Sequence, residues 1–85
     1  MEKSWMLVDE KLIQDAINKE ENAINLIYEQ TINSAYFVAQ THACNISYIN
    51  DILQDSYIRV FEHLDTLHDY TKLQSWINAI VRNKA

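Results

Sequence analysis

The chain reads as an all-α domain, a compact bundle of about four helices. Its 85 residues include neither glycine nor proline, so turns that need positive φ and glycine-capped helix ends are scarce. Apolar residues recur at i, i+3, i+4 and i+7 through most of the chain, the spacing of amphipathic helices. Polar stretches of only a few residues separate the periodic segments. This length makes one domain with a modest core, stable by roughly several kcal/mol.

Each element has its own signal. Residues 1–8 are a short lead carrying Trp5, Met6 and Leu7. Asp9 is a fair N-cap for a first helix over about 9–18, with Val8 placed as a hydrophobic staple. Leu12, Ile13, Ala16 and Ile17 form its apolar set, and Asn18 to Asn22 reads as a turn. A second helix over about 22–43 carries Ile24, Ile27, Tyr28, Thr31, Ala35, Val38 and Ala39 at helical spacing, with Ile32, Tyr36 and Phe37 off that stripe. An apolar arc this wide places the helix centrally, with neighbours on two sides.

Ser47 is the expected cap of a third helix over about 48–64, whose inner face is Ile49, Ile52, Leu53, Tyr57, Val60, Phe61 and Leu64. The opposite face carries Asn50, Asp51, Gln54, Asp55, Arg59 and Glu62, with Ile58 among them where the core cannot use it. Asp65 to Tyr70 reads as a loop. Thr71-Lys72-Leu73-Gln74 then has the form of a capping box. The fourth helix turns Leu73, Trp76, Ile77, Ile80 and Val81 inward and Lys72, Ser75, Asn78, Ala79 and Arg82 outward, with Asn83 beside them. It reaches Ala85 without a stop signal, which reads as a truncated helix of a longer protein.

Charge divides the chain. The net value is −5, which argues against tight unaided DNA binding. Residues 1–65 hold eleven acids and four bases, whereas residues 66–85 hold Asp69 against Lys72, Arg82 and Lys84. Any nucleic-acid contact should therefore lie at the C-terminal end, and the acidic body should meet something basic. The single cysteine, Cys44, cannot form an internal disulfide, and a reducing cytoplasm is the simplest home. Neither a signal peptide nor an apolar run of membrane-spanning length is visible, so no membrane role is expected.

Chemical sites are not legible. His42 and Cys44 stand two apart with no second pair at ligand spacing, and His63 and His68 are five apart, so no metal is expected. A glycine-rich phosphate loop is impossible without glycine, and no nucleophile–base pair stands out. Asp51 and Asp55 read as a solvated i, i+4 pair. The chain is expected to be neither an enzyme nor a cofactor protein.

Asp51-Ile52-Leu53-Gln54-Asp55, then Tyr57, Arg59-Val60-Phe61 and Leu64, resembles region 2 of bacterial sigma factors, of the extracytoplasmic-function branch of the sigma-70 family. Trp76-Ile77, Ile80 and Arg82-Asn83-Lys84-Ala85 are similar to that group's Trp-Leu…Ile-Ala-Arg-Asn ending, and Ala23-Ile24 with Ile27-Tyr28 to its upstream Ala-Phe…Leu-Tyr element. The resemblance covers about residues 9–85 and is strongest over 51–64 and 76–85. Two departures stand out. Lys19-Glu20-Glu21 occupies a turn where the family often has glycine, and the 67–72 loop is less basic than usual.

The resemblance implies a division of labour. The outer face of the third helix, with Asp51, Gln54, Asp55, Ile58, Arg59 and Glu62, would dock on the clamp helices of the largest catalytic subunit of core RNA polymerase. Carboxylates suit an Arg-rich surface because their bonds to guanidinium are charge-assisted and directional. His68, Asp69, Tyr70, Thr71 and Lys72 would capture an unstacked base of the minus-ten promoter element on the non-template strand, and Ser75, Asn78, Arg82 and Asn83 would meet phosphates and base edges. An anti-sigma factor is a further partner the resemblance brings in. On periodicity alone, the same faces read as solvated helix surface and an ordinary connecting loop. A sigma-like adaptor that binds a protein partner without reading DNA stays open beside the promoter reading.

Overall fold

The computed structural model describes residues 9–84. It is an all-α bundle of four helices: α1 (Glu10–Ile17), α2 (Glu21–His42), α3 (Ile46–Glu62) and α4 (Leu73–Lys84). Two 3-10 turns, Leu64–Thr66 and Tyr70–Lys72, lie between α3 and α4. The expected Val8 staple and the helix end at Ala85 fall outside the described residues.

α2 is the central helix, packed against α1, α3 and α4, while α3 and α4 also pack on each other. Its buried stripe is Ala23, Ile27, Thr31, Ala35 and Ala39. The small residues on this stripe let neighbouring helices approach closely. α3 contributes Ile49, Ile52, Leu53, Tyr57 and Val60 to the core, and α4 contributes Leu73, Ile77 and Val81. Trp76 and Phe61 are half-buried at its edge. Leu64 is fully buried, yet it belongs to the first 3-10 turn rather than to α3.

The α1–α2 turn solves a problem the missing glycine creates. The Lys19 N–H donates to the Ala16 carbonyl at 3.0 Å and the Glu20 N–H to the Asp15 carbonyl at 2.9 Å. This paired closure needs a left-handed residue, and Lys19 supplies it at φ 68°. A side chain with a Cβ fills a position where glycine is the unstrained choice.

Two caps differ from the sequence expectation, in the same way. α3 is capped by Asn45, not Ser47: the Asn45 carboxamide oxygen accepts from the Ser47 N–H at 2.8 Å and the Tyr48 N–H at 3.3 Å. Likewise Asp69, not Thr71, begins the turn that leads into α4, accepting from the Thr71 N–H at 3.1 Å and from the Thr71 hydroxyl. The Thr71–Gln74 capping box does not form. Gln74 instead donates to the Thr31 carbonyl of α2 at 3.2 Å and to the Asn78 carboxamide oxygen at 3.0 Å. In both places an Asx residue two positions upstream takes the cap, and the expected Ser or Thr becomes its donor.

Candidate docking face and strand-facing loop

The outer face of α3 stands as its periodicity predicts. Asp51, Gln54, Asp55, Ile58, Arg59 and Glu62 are all exposed. None of their side chains makes a hydrogen bond or ion pair with another described residue. Three carboxylates against one guanidinium give this face a negative field, and Ile58, 53 % exposed, is its apolar member.

The inner side of α3 holds that face in place. The Tyr57 hydroxyl shares a buried 2.7 Å hydrogen bond with the Thr31 hydroxyl, which also donates to the Ile27 carbonyl at 2.8 Å. Burial pushes the Tyr57 phenol up to about 12, with the bond to Thr31 acting the other way. The Tyr57 ring meets Tyr28 edge-on at 4.8 Å between centroids, and Phe61 follows at 6.2 Å. These three rings and Leu53 line an open groove of about 590 Å³ beside the outer face of α3, with Ile58 and Gln54 on its rim. Ile58 also borders a charged notch formed with Asp55, Arg59, Glu62 and Lys84.

The loop is built from its own hydrogen bonds. Thr66 donates from its N–H at 2.9 Å and its hydroxyl at 2.7 Å to the His63 carbonyl, and Leu67 N–H reaches the Leu64 carbonyl at 3.1 Å. Asp69 organises the second turn, where hydrogen bonds from the Thr71 hydroxyl and N–H hold its carboxyl below the usual carboxylate range. The Ser75 hydroxyl donates to the Lys72 carbonyl at 3.0 Å. Asp69, Thr71 and Ser75 are therefore engaged in local structure. The side chains of His68, Tyr70 and Lys72 are exposed and make no hydrogen bond with the described residues.

The remaining α4 residues divide. Arg82 is exposed, consistent with an outward row shared with Ser75. Asn78 is not on a free outer face. It is half-buried, donating to the Ser34 hydroxyl of α2 at 3.0 Å and accepting from Gln74, so its carboxamide stitches α4 to α2. Ala79 is half-buried as well. Asn83 turns toward α3, sharing a notch of about 250 Å³ with Arg59, Ile80 and Lys84. Of the nine residues expected at the strand, four thus present exposed side chains neither engaged in the local scaffold nor turned toward α3: His68, Tyr70, Lys72 and Arg82.

Sequence reasoning missed Tyr28 and Lys84. Tyr28 sits on the predicted apolar stripe of α2 but is 43 % exposed at the groove. No single-helix pattern reveals this, because the groove exists only where α2 and α3 meet. Lys84 reaches the Arg59 notch only through the packing of α4 on α3.

Among the described residues, no group of three His, Cys, Asp or Glu side chains is placed to hold a metal ion. No described helix is long and apolar enough to cross a membrane. No protein-family model, curated protein or solved structure gives a significant match to this chain.

Proposed function

We propose that this chain is a sigma-factor region 2 domain, acting in the cytoplasm by binding rather than by catalysis. α3 docks its acidic outer face on the clamp helices of core RNA polymerase. The loop and α4 then engage the non-template strand of the minus-ten element as the promoter opens. The observation that carries this reading is the α3 face itself. It presents Asp51, Gln54, Asp55, Ile58 and Glu62 outward with no internal partner, on a helix fixed from behind by a buried hydrogen bond and ring contacts. Unpaired carboxylates around one exposed aliphatic residue make an apolar anchor with a charged rim, the anatomy of a specific protein contact. An overall charge of −5 fits a domain that relies on polymerase for most of its DNA affinity.

A second reading has an observation of its own. Asp69, Thr71 and Asn78 are engaged internally, so fewer groups are free for a strand than the sequence suggests. A sigma-like adaptor that binds polymerase or another protein without reading DNA would tolerate this.

Two double variants separate the readings. Asp55→Arg with Gln54→Ala is expected to weaken binding to core polymerase while circular dichroism stays unchanged. Tyr70→Ala with Lys72→Ala is expected to preserve polymerase binding and reduce capture of a single-stranded minus-ten oligonucleotide by the assembled complex. Unchanged strand capture by the loop variant removes the loop from the mechanism, whereas polymerase binding without strand capture by the unaltered chain favours the adaptor. Unchanged polymerase affinity in the α3 variant removes the docking face from either account.

A further inference from the structure

The acidic face has an apolar neighbour that the docking charges alone do not use. Tyr28 on α2 and Ile58 on α3 are 43 % and 53 % exposed and flank a groove floored by Leu53, Tyr57 and Phe61. Exposed apolar surface rimmed by polar residues marks a contact site far more often than does scattered exposure. The groove is also preformed. Tyr57 cannot rotate to fill it without breaking its 2.7 Å bond to Thr31, and Tyr28 rests edge-on against the same ring. Its volume of about 590 Å³ exceeds any one side chain, yet it lies open to solvent. That shape suits a residue presented from a neighbouring surface better than an enclosed small ligand.

Charge selects the occupant. On α3 the exposed Asp51 and Asp55 each follow a groove residue, Asn50 and Gln54, in the chain, and Ile58 is shared between the groove and the notch holding Asp55, Arg59, Glu62 and Lys84, so that acids outnumber bases along this side by three to two. An acidic partner would meet repulsion along this rim, whereas a basic amphipathic helix meets attraction on the rim and apolar contact in the groove. We propose that the groove seats one bulky aliphatic or methionine side chain of such a helix, with arginine or lysine neighbours reaching Asp51 and Asp55. This rests on the docking reading and extends the interface from α3 onto α2 through Tyr28.

The test titrates the isotopically labelled chain with an isolated polymerase clamp coiled coil and follows ring and methyl resonances. The Tyr28 and Phe61 rings and the Ile58 methyls are expected to shift saturably, with one common dissociation constant. Ile58→Ser and the groove-filling Asn50→Trp, both at exposed positions, are each expected to weaken binding about tenfold or more. Both variants keep the acids, so the steep salt dependence remains. If Asp55→Arg abolishes binding while both groove variants bind as the unaltered chain and the Tyr28 signals stay still, the docking reading survives and the groove proposal fails. Absence of any binding by the unaltered chain overturns both. Two other occupants would also overturn it. One is a second copy, seen as dimerisation in sedimentation that Ile58→Ser removes. The other is this chain's own lead, seen as Tyr28 and Phe61 shifts when residues 1–8 are deleted without any partner present.

Discussion

α3 and the segment from Leu64 to Lys72 adjoin in the chain, yet they are fixed by different forces. α3 is held from behind by long-range contacts: its Tyr57 bonds Thr31, 26 residues away, and six of its side chains are buried against other helices. The loop has Leu64 as its one fully buried anchor and the half-buried Leu67 against the core, and its hydrogen bonds span only two or three residues. The first arrangement makes a surface whose geometry depends on the whole fold. The second makes a surface that can adjust to a ligand without disturbing the core. Under the proposed reading, a fixed docking face beside an adaptable loop would serve binding followed by selection.

Variants can sharpen or break this contrast. The largest expected effect is Leu53→Ala, a core truncation on α3 that should lower unfolding free energy by about 2–5 kcal/mol in urea titration. A loss well under that range would mean α3 is not anchored as described. Tyr57→Phe removes one buried hydroxyl and its hydrogen bond to Thr31 and should cost about 1 kcal/mol. It should also change the alkaline limb of stability. The folded phenol titrates near 12, above its ordinary value of 10, so the unfolded chain loses this proton first. The resulting stability is fully present below about pH 10 and drains away as pH rises toward 12. In Tyr57→Phe this component should vanish, and an unchanged alkaline profile would show that Tyr57 is not buried as described.

Asn78→Ala should cost about 1 kcal/mol through the lost stitch to Ser34, measured by the same titration. A neutral result would return Asn78 to the strand-facing set. The smallest global effect belongs to Asp69→Ala. It should leave the denaturation midpoint nearly unchanged while hydrogen exchange at Thr71 and Lys72 accelerates. The carboxyl of Asp69 titrates below its ordinary value, so its contribution is present above that value and lost as pH falls through the folded one. The loop should therefore loosen only in acid. A large midpoint shift would make the loop part of the core and erase the contrast.

The helices and their faces were legible in the sequence because burial on one side imposes a period that amino-acid order records directly. Ile58 stood out for the same reason, as an aliphatic residue on the wrong side of that period, and it is exposed. The caps were misjudged because Asn45 and Ser47, like Asp69 and Thr71, compete for the same amides, and local order does not say which oxygen is better placed. Periodicity places Asn78 on an outer face because it gives a direction around one helix but not the width of its neighbour. The Gln74–Asn78 pair at i, i+4 was the available hint. Ser56, fully buried on α3 with a hydroxyl that has no hydrogen-bond partner among the described residues, had no sequence signal at all. The groove was invisible for a related reason: it belongs to two helices at once.

The most direct test of the account is a titration of this domain against an isolated polymerase clamp coiled coil, repeated with Asp55→Arg. The account predicts saturable, salt-sensitive binding that the charge reversal weakens by at least about tenfold, with helical content unchanged. Equal binding by both proteins, or no binding by either at high micromolar concentration, would contradict a docking role for the acidic face of α3.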